Sequence, residues 1–482
     1  MVDIEGTPVI GAQVLCVDLD ETLIRSDLLW EATVRFLAGN PLRVIAVIAM
    51  VLRGPARLKS WLAARVSLEA ELLPYNQAVV ALVTAARADG AHTVLATASP
   101  EPYARQVADA LGIFDEVIAT EGGVNLSGRA KAQALIERFG ERGFTYAGNS
   151  QRDLNVWRHA GRAISVDASA AVQSGIATMG IESENLRTPR PSWRVWLRQV
   201  RLHQSVKNAL VFVPLLASLR ERSWADAGES VLAFVAFTLL TSVVYIWNDL
   251  SDLDSDRAHA TKRYRPLASG TIGIPQALVV CVLCGAGAFV TALFLNPLVA
   301  AILALYLVTT SCYSAFVKRI AVADVIVLAA LYIIRVLAGC AALLIVPSVW
   351  LLLYCVFIFF SLALMKRCAE LGRRVDTARS GRGYLPKDRG VLTSLGITSG
   401  VASILVFGLY INSLAADRLY DAPVLLWLAV PVLLYWIARA WMLTDRGSMH
   451  DDPVVFALRD PASVITAGVL AAIAAAAVVV PL

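Results

Sequence analysis

Four aspartates and four Lys or Arg residues stand close together in the segment NDLSDLDSDRAHATKRYRPLASG, residues 248–270. Asp249, Asp252 and Asp256 are spaced i, i+3 and i+7, so a continuous helix carries them on one face. Carboxylates held together repel one another unless a cation lies among them, and hard oxygen ligands suit Mg²⁺, which commonly bridges to substrate phosphates. A solvated loop of mixed charge is the alternative reading. We favour a site that holds a diphosphate through Mg²⁺, with Lys262, Arg263 and Arg265 binding the remaining negative charge.

A second pair of acids follows an apolar stretch near the N-terminus, AQVLCVDLDETLI, residues 12–24. A buried strand that delivers Asp18 and Asp20 at its carboxyl end places both acids where α/β sheets bind ligands. Asp18 can attack phosphorus as a nucleophile and Asp20 can protonate the leaving group. Mg²⁺ would screen the repulsion between Asp18 and the phosphate. The pattern therefore predicts phosphate-ester chemistry.

The elements that position these acids differ between the two halves of the chain. Residues 1–205 mix charged and apolar residues, and further strands are predicted at 93–100, 115–120 and 144–150 with helical segments between them. Such alternation is typical of a parallel sheet built from β-α units. We therefore expect a soluble α/β domain that holds Asp18 and Asp20.

Long apolar runs dominate the rest of the chain, whose overall hydrophobic content is 57%. Runs of about 20 apolar residues predict membrane-spanning helices. A shorter segment at 206–219, which contains Pro214, completes a predicted set of nine. The other eight lie near residues 229–247, 274–295, 297–316, 322–345, 348–365, 391–414, 422–443 and 461–482.

The basic residues indicate how these helices are oriented. With nine helices and the N-terminus inside, the inner loops carry sixteen Lys and Arg and the outer connections carry three. This is the positive-inside pattern. The chain begins MVDIEGTPVI, without a basic segment followed by an apolar one, so no cleaved signal is expected. We predict a multi-pass protein of the bacterial inner membrane with a cytoplasmic N-terminal domain.

The net charge of +5 is modest, and we expect no nucleic-acid partner; a homo-oligomer is left open.

Other polar residues of the membrane half are weaker candidates for the site. The basic loop 366–390 begins with Lys366, Arg367 and Glu370, although a purely topogenic loop is an equal alternative. Asp324 and Arg335 lie in one predicted span, where charge usually faces a polar cavity. Lys207 and Asn208 open the first span and can reach a phosphate or anchor the helix at the interface.

The membrane half resembles the UbiA superfamily of intramembrane prenyltransferases. The similarity covers about residues 195–482 and rests on the N-D-x-x-D-x-x-x-D pattern and the HATKRYRPLASG that follows it. The segments VKNALVFVPLLAS, KRCAEL and DDPVVFALRDPAS are similar to the decaprenyl-phosphate phosphoribosyltransferase branch. That resemblance implies polyprenyl phosphate as acceptor and Mg-bound phosphoribosyl pyrophosphate as donor. It implies a diphosphate site at Asn248, Asp249, Asp252 and Asp256, donor phosphates on Lys262, Arg263 and Arg265, and Lys366, Arg367 and Glu370 lining the opposite side.

The soluble half resembles the haloacid dehalogenase (HAD) superfamily over residues 10–185. Its four motifs occur in order, at Asp18 and Asp20, Thr97, Lys131 and Asp153. The resemblance implies a phosphatase that binds substrate with Thr97 and Lys131 and Mg²⁺ with Asp18, Asp20 and Asp153. It also implies a helical cap at 28–90, whose stretch 41–59 is apolar with basic flanks and suits a membrane surface. Asn149 departs from the aspartate that many members have, so a weakened or inactive phosphatase is the alternative.

Together the halves suggest two consecutive reactions. Transfer of phosphoribose to polyprenyl phosphate leaves a 5-phosphate, which a tethered phosphatase would meet at high effective concentration. The rival functions are a prenyltransferase that joins a prenyl diphosphate to an aromatic or small acceptor, and an active transferase with a regulatory HAD domain. The predicted domains are a HAD-like domain at 1–185, a linker at 186–194 and a UbiA-like all-α domain at 195–482.

Overall fold

The computed structural model describes residues 14–40, 43–121, 125–188, 191–218, 223–373, 383–449 and 452–480. By packing, the chain divides into two units. The first unit contains Met1–Val200 together with Tyr245–Cys281, and the second contains Arg201–Val244 and Val282–Leu482. The aspartate-rich segment 248–270 therefore packs with the N-terminal half of the chain.

A six-stranded parallel sheet forms the centre of the N-terminal half, with strand order β3-β2-β1-β4-β5-β6. Val17 at the end of β1 lies opposite Leu95 of β2 and Ala147 of β4, so these three strands end near one another. The strands are β1 (Val14–Val17), β2 (His92–Pro100), β3 (Glu116–Thr120), β4 (Thr145–Gly148), β5 (Arg162–Val166) and β6 (Glu182–Leu186).

Apolar side chains cover both faces of this sheet, as parallel sheets require. Leu15 and Val17 of β1 pack into one fully buried cluster, and Cys16 between them packs into the cluster on the opposite face. The strand can therefore hold Asp18 rigidly at its end. Eight helices of this half are α1 (Leu28–Gly39), α2 (Val44–Val51), α3 (Pro55–Ala63), α4 (Gln77–Ala88), α5 (Glu101–Leu111), α6 (Arg129–Phe139), α7 (Leu154–Trp157) and α8 (Ala170–Ala177).

The segment predicted as a cap is helical in the structure. Helix α1 begins where Asp27 accepts a hydrogen bond from the N–H of Leu29, and α4 begins where Asn76 accepts one from Ala78, both common N-terminal caps. Helix α2 leaves Ile45 and Ile48 largely exposed. Their placement at a membrane surface remains a prediction.

Eight helices within the described residues are long and apolar enough to cross a membrane. Several leave large apolar side chains exposed, including Val282 and Phe294, as lipid-facing helices do. The remaining helices are α9 (Trp193–Gln199), α10 (Val213–Ala217), α11 (Trp224–Ser251), α12 (Leu253–Ala258), α13 (Ile274–Leu295), α14 (Pro297–Ala315), α15 (Ala323–Ala342), α16 (Val349–Arg373), α17 (Arg389–Ile411), α18 (Leu414–Leu419), α19 (Ala429–Asp445), α20 (Pro453–Arg459) and α21 (Pro461–Val479).

The ninth predicted span is not a continuous α-helix. Residues Leu202–Phe212 form a 3₁₀-helix that continues into the short helix α10, with Pro214 in its first turn. Proline has no N–H and favours a helix start over a helix interior. The expected count of nine regular spans is therefore corrected to eight in the described part of the chain.

The irregular segment packs closely against α15 in the second unit. A Cβ placed on Gly339 of α15 would lie 2.0 Å from the carbonyl oxygen of Val211. Small residues allow such close backbone approach between membrane helices. Gly339 therefore sets the spacing between the 3₁₀-helix and α15.

Two candidate active sites

The first site lies where β1 and β4 end. The N–H of Asp18 donates to the carbonyl of Ala147 at 2.9 Å, which continues the strand pairing to the last residue before the turn. The chain then turns sharply through Leu19–Leu23, with Glu21 in the left-handed region at φ 57°. This turn places Asp18 and Asp20 at the carboxyl edge of the sheet.

Asp18, Lys131 and Asp153 form one buried network. Lys131 Nζ donates to Asp18 Oδ1 at 2.7 Å and to the Tyr146 hydroxyl at 2.9 Å. It lies 3.8 Å from Asp153 Oδ1, and the Tyr146 hydroxyl donates to that same oxygen at 2.8 Å. Three of the residues predicted from separate motifs are therefore in contact.

Burial sets the protonation of this network. Burial raises the pKa of Asp18 to about 7, although Lys131 opposes the change. Burial alone lowers the pKa of Lys131, but the Asp18 and Asp153 carboxylates raise it above its ordinary value. A charged lysine beside Asp18 favours the carboxylate form that a nucleophile needs.

Asp20 and Thr97 are joined through Ser99. The two Asp20 oxygens accept hydrogen bonds from the N–H of Leu28, at 2.8 Å, and from Ser99 Oγ, at 2.6 Å. Thr97 is fully buried, and its hydroxyl accepts from the N–H of Ser99 at 3.0 Å. The hydrogen bonds from Leu28 and Ser99 therefore fix the orientation of the Asp20 carboxyl group. A side chain that donates a proton to a leaving group needs such a fixed position.

Asn149 lies at the edge of a pocket of about 750 Å³ within the first unit. Its amide nitrogen donates to Glu21 Oε2 at 3.2 Å, and its backbone N–H donates to Asp153 Oδ2 at 3.3 Å. Arg25, Arg187 and residues Gly270–Gly273 also line this pocket. The pocket is polar and large enough for a phosphosugar.

The second site lies in the aspartate-rich segment. Asp249 at the end of α11 and Asp256 in α12 are both buried. Arg265 NH1 donates to Asp249 Oδ1 at 3.2 Å and to Asp256 Oδ2 at 2.6 Å. Lys262 Nζ lies 3.9 Å from Asp256 Oδ1. Four of the predicted residues, Asp249, Asp256, Lys262 and Arg265, are therefore brought together here.

Asp252 lies at a break between two helices. The helix is interrupted at Asp252, whose φ of −102° and ψ of 14° separate α11 from α12, and its side chain is exposed. A continuous helix is therefore the wrong description at this residue. Arg263 does not contact the aspartates in the described structure, and it donates to the hydroxyl of its exposed neighbour Tyr264 at 2.9 Å. Asn248 is half-buried near the end of α11.

Asp452 joins two predicted phosphate-binding lysines in the second unit. Its Oδ2 accepts hydrogen bonds from Lys207 Nζ at 2.8 Å and Lys366 Nζ at 3.0 Å, and Tyr332 donates to both oxygens. Burial would raise the pKa of Asp452, but Lys366 and Lys207 lower it well below its ordinary value. Asp452 was missed as a site residue, although its segment was noted for its resemblance.

Arg367 and Glu370 belong to a different network of this unit. Arg367 Nε donates to the buried Asp324 at 2.5 Å, and Arg367 NH1 donates to Glu370 at 2.5 Å. Tyr384 also donates to Asp324. These contacts give the buried Asp324 an arginine and a tyrosine partner within the second unit. The direct contact of Arg367 and Glu370 with substrate remains a prediction.

Asn208 is likewise held inside the second unit. Its side-chain oxygen accepts from Arg335 Nε at 3.0 Å, and its nitrogen donates to the hydroxyls of Thr238 and Thr241. Arg335 therefore pairs with Asn208 rather than with Asp324. Residues 374–382 of the predicted basic loop 366–390 lie outside the described residues.

The donor atoms of both sites fit Mg²⁺ in kind. Asp18 Oδ2 accepts no hydrogen bond from the described residues, and the Asp252 carboxylate is exposed. Among the residues described, no three His, Cys, Asp or Glu side chains converge as a metal site. Water, backbone oxygens and substrate phosphates would supply the remaining ligands, as is usual for Mg²⁺.

Comparisons with known proteins assign the two halves of the chain to two families. A model of the UbiA prenyltransferase family matches residues 209–459, and one of haloacid dehalogenase-like hydrolases matches residues 15–158. The chain belongs to the UbiA prenyltransferase family. It carries a HAD domain at its N-terminus, and the eight long apolar helices found among the described residues make it a multi-pass membrane protein. Both domain types are enzymatic and typically depend on Mg²⁺.

Several relatives share one or both domains. Uncharacterized protein y4nM of Sinorhizobium fredii is 38% identical over 93% of this UbiA family chain and 88% of its own length. Nodulation protein NoeC of Azorhizobium caulinodans is 34% identical, and decaprenyl-phosphate phosphoribosyltransferase of Mycobacterium tuberculosis is 33% identical, each over 55% of this chain and 87% of the relative. A solved UbiA homolog from Archaeoglobus fulgidus, bound to GPP and Mg²⁺, aligns with a TM-score of 0.45 at 16% identity, over 59% of this chain and 100% of its own.

Proposed function

We propose that this protein transfers 5-phosphoribose from phosphoribosyl pyrophosphate to a polyprenyl phosphate and then removes the 5-phosphate. The contact of Arg265 with both Asp249 and Asp256, beside Lys262, carries the proposal. This cluster supplies acids for a metal-bound diphosphate and cations for its remaining charge. The named phosphoribosyltransferase relative supports the choice of donor and acceptor.

In the transfer step the bond between the ribose C1 and the diphosphate oxygen breaks. A phosphate oxygen of the lipid forms the new bond to C1, and the diphosphate leaves with the electron pair. Lys262 and Arg265 stabilise the charge that develops on the leaving diphosphate, and Mg²⁺ when bound would add to that stabilisation. The lipid phosphate is already anionic, so this step needs no strong general base.

In the second step Asp18 attacks the phosphorus of the ribose 5-phosphate. The ester bond breaks, Asp20 donates a proton to the leaving ribose oxygen, and water later hydrolyses the aspartyl phosphate. Lys131, in contact with Asp18, keeps the nucleophile charged and binds phosphate together with Thr97. We assign the sugar to the pocket beside Asn149, where Arg25 and Arg187 can bind an anionic substrate.

The proposed function includes a cellular location for the protein. With the irregular segment 202–217 counted as a ninth crossing, the basic loops lie on the inner side, which supports a bacterial inner-membrane protein with the HAD domain in the cytoplasm, where phosphoribosyl pyrophosphate is available. The product, polyprenyl-phospho-ribose, has the chemistry of a sugar donor for cell-envelope glycans. Lys207 and Lys366, held by Asp452, are assigned to a substrate phosphate.

A product assay on the full chain tests both steps. Purified protein in detergent with Mg²⁺ receives polyprenyl phosphate and ribose-labelled phosphoribosyl pyrophosphate, beside an Asp18→Asn variant. Wild type should yield lipid-linked ribose, and the variant should stop at lipid-linked ribose 5-phosphate. Labelled ribose without its phosphate from the variant would refute the role of the HAD domain.

The same assay addresses the rival transferase. If wild type forms no labelled lipid, the phosphoribosyl proposal fails. Incubation with a prenyl diphosphate and an aromatic acceptor then tests the alternative of a prenyltransferase, for which release of diphosphate reports turnover.

A further inference from the structure

A buried ion pair links helix α1 of the N-terminal half to the aspartate-rich segment within the first unit. Glu31 of α1 is fully buried. Arg257, which follows Asp256, donates to Glu31 with both terminal nitrogens, at 3.0 and 2.8 Å. This two-point contact fixes the orientation of the guanidinium plane as well as its distance.

Arg257 also holds the loop that follows its own helix. Its Nε donates to the carbonyl of Ala268 at 3.0 Å. A second arginine strengthens the link, since Arg35 of α1 donates to Glu31 at 2.7 Å and to Asp254 at 2.8 Å. Helix α12, which carries Asp254 and Asp256, is therefore held to α1 by two arginines and one buried carboxylate.

Helix α1 begins at the phosphatase-like site. The N–H of its first residue, Leu28, donates to Asp20, and Glu31 lies less than one turn further along. The same short helix thus contacts a proposed general acid at its start and the diphosphate motif near its middle.

The backbone packs tightly beside this ion pair. Gly270 has a φ of +68°, and a Cβ there would lie 2.8 Å from Arg25 Cβ and 3.0 Å from Pro74 Cβ. An apolar cluster that contains Val34, Leu253 and Leu267 lies nearby. The contact between α1 and the segment 250–272 is therefore well packed and is not confined to charged groups.

Buried ion pairs of this kind are weak devices for stability. Removing both charges from water costs several kcal/mol, and well-packed apolar residues often serve equally well for stability. A bidentate pair contributes a defined relative position of the two elements that carry its residues. Here that geometry belongs to α12, whose Asp256 contacts Arg265 in the candidate diphosphate site.

We infer that Glu31 is a positioning residue for the transferase reaction. Acting through Arg257, it holds α12 so that Asp256 faces the Mg-diphosphate. The HAD half thus has a second role, as a wall of the transferase that supports its metal-binding helix. This inference rests on the proposed function in that the aspartate-rich segment binds the diphosphate.

The test compares Glu31→Gln with wild type in the full chain. The substitution keeps the size of the side chain and removes its charge. We expect the Mg²⁺ concentration for half-maximal transfer, and the KM for phosphoribosyl pyrophosphate, to rise roughly 10- to 100-fold, as for partners that orient metal ligands. Glu116→Gln, which removes a HAD-domain carboxylate paired with Arg138, is the control and should leave both values unchanged.

Saturation constants separate positioning from folding. Partial unfolding lowers the fraction of active molecules and hence the apparent kcat, but it leaves KM and the Mg²⁺ requirement unchanged. Hydrolysis of a small phosphate ester by the same sample reports whether the HAD domain is folded. The milder substitution Glu31→Asp keeps the charge but shortens the side chain, so it should raise KM and the Mg²⁺ requirement by a smaller factor. It can still be measured if Glu31→Gln is too slow to assay.

Two results would count against the inference or its premise, and they differ. Wild-type KM and Mg²⁺ requirement in both Glu31 variants would overturn the positioning role, whatever their kcat. Absence of phosphoribosyl transfer by wild type in the same assay would overturn the proposed function instead.

Discussion

At the scale of single residues, the sites depend on charges that share partners. Lys131 contacts Asp18 directly and lies near Asp153, Arg265 contacts two aspartates, and Asp452 accepts from two lysines. Lys131 opposes the effect of burial on the pKa of Asp18, and Lys366 and Lys207 do the same for Asp452. A substitution at the shared partner should therefore disturb several groups together.

Asp452 offers a direct test of this idea. In Asp452→Asn, two ammonium groups lose the carboxylate oxygen that both contact, so their orientation is lost and they repel each other. We expect the KM for a phosphate-bearing substrate of the transfer reaction to rise about tenfold, corresponding to roughly 1.4 kcal/mol. The measurement is steady-state transfer with each substrate varied in turn.

The exposed Asp417 supplies the matched control, since Asp417→Asn removes the same charge from the surface. Unchanged KM values for both substrates in folded Asp452→Asn would show that Lys207 and Lys366 do not need Asp452 to bind phosphate.

Sequence patterns predicted the residues of the first site better than those of the second. Asp18, Lys131 and Asp153 follow ordered motifs at strand ends, and in the structure they are in one network. Asp452 lies 245 positions from Lys207, so no local spacing could connect them. Glu31 was not predicted either, because its partner Arg257 is 226 positions away. A lone glutamate on an amphipathic helix is also usually solvated.

At the scale of elements, close helix contacts define the membrane part. The irregular 3₁₀-helix Leu202–Phe212 approaches α15 at Gly339, where a Cβ would lie 2.0 Å from a backbone oxygen. Gly339→Ala should therefore force the two elements apart. We expect a loss of about 1–3 kcal/mol in unfolding free energy, measured as a lower thermal midpoint in detergent.

Gly228→Ala is the control for this prediction. Gly228 also lies in a helix, α11, but a Cβ there meets no atom within 4 Å. Relief of glycine's extra chain entropy should stabilise that variant by roughly 0.5–1 kcal/mol. Equal midpoints for the two variants would contradict the close-contact explanation.

Periodicity predicted most elements but not their irregularities. Apolar runs located the eight long helices, and strands near β1 to β4 were predicted. Strands β5 and β6 were not predicted, and the residues of β6, Glu182–Leu186, are mostly polar and lie at a sheet edge. The break at Asp252 and the 3₁₀ segment near Pro214 also escaped prediction, since both depend on tertiary packing.

At the scale of the whole molecule, acid should weaken the chain through Glu31. Burial would raise the pKa of Glu31, but Arg257 and Arg35 lower it from 4.5 to about 2. Stability from this depressed pKa is complete above about pH 4.5 and is lost as the pH falls towards 2. The shift corresponds to about 3 kcal/mol.

Thermal midpoints of wild type and Glu31→Gln at about pH 6 and about pH 3 measure this contribution. The advantage of wild type over the variant should shrink at the lower pH. An advantage that stays constant across the range would show that the Glu31 carboxylate does not titrate in this way.

The ion pair between Glu31 and Arg257 also bears on how the protein is made. Its partners are 226 residues apart, and ribosomes add roughly 5–20 residues per second. Glu31 therefore waits about 10–45 s for its arginine while the first membrane helices are being inserted. During that interval the nascent HAD domain holds Glu31 with Arg35 but without Arg257, and the apolar patch around Val34 lacks the later residues that cover it. Translation speed between residues 31 and 257 should therefore influence how much of the chain reaches the membrane intact.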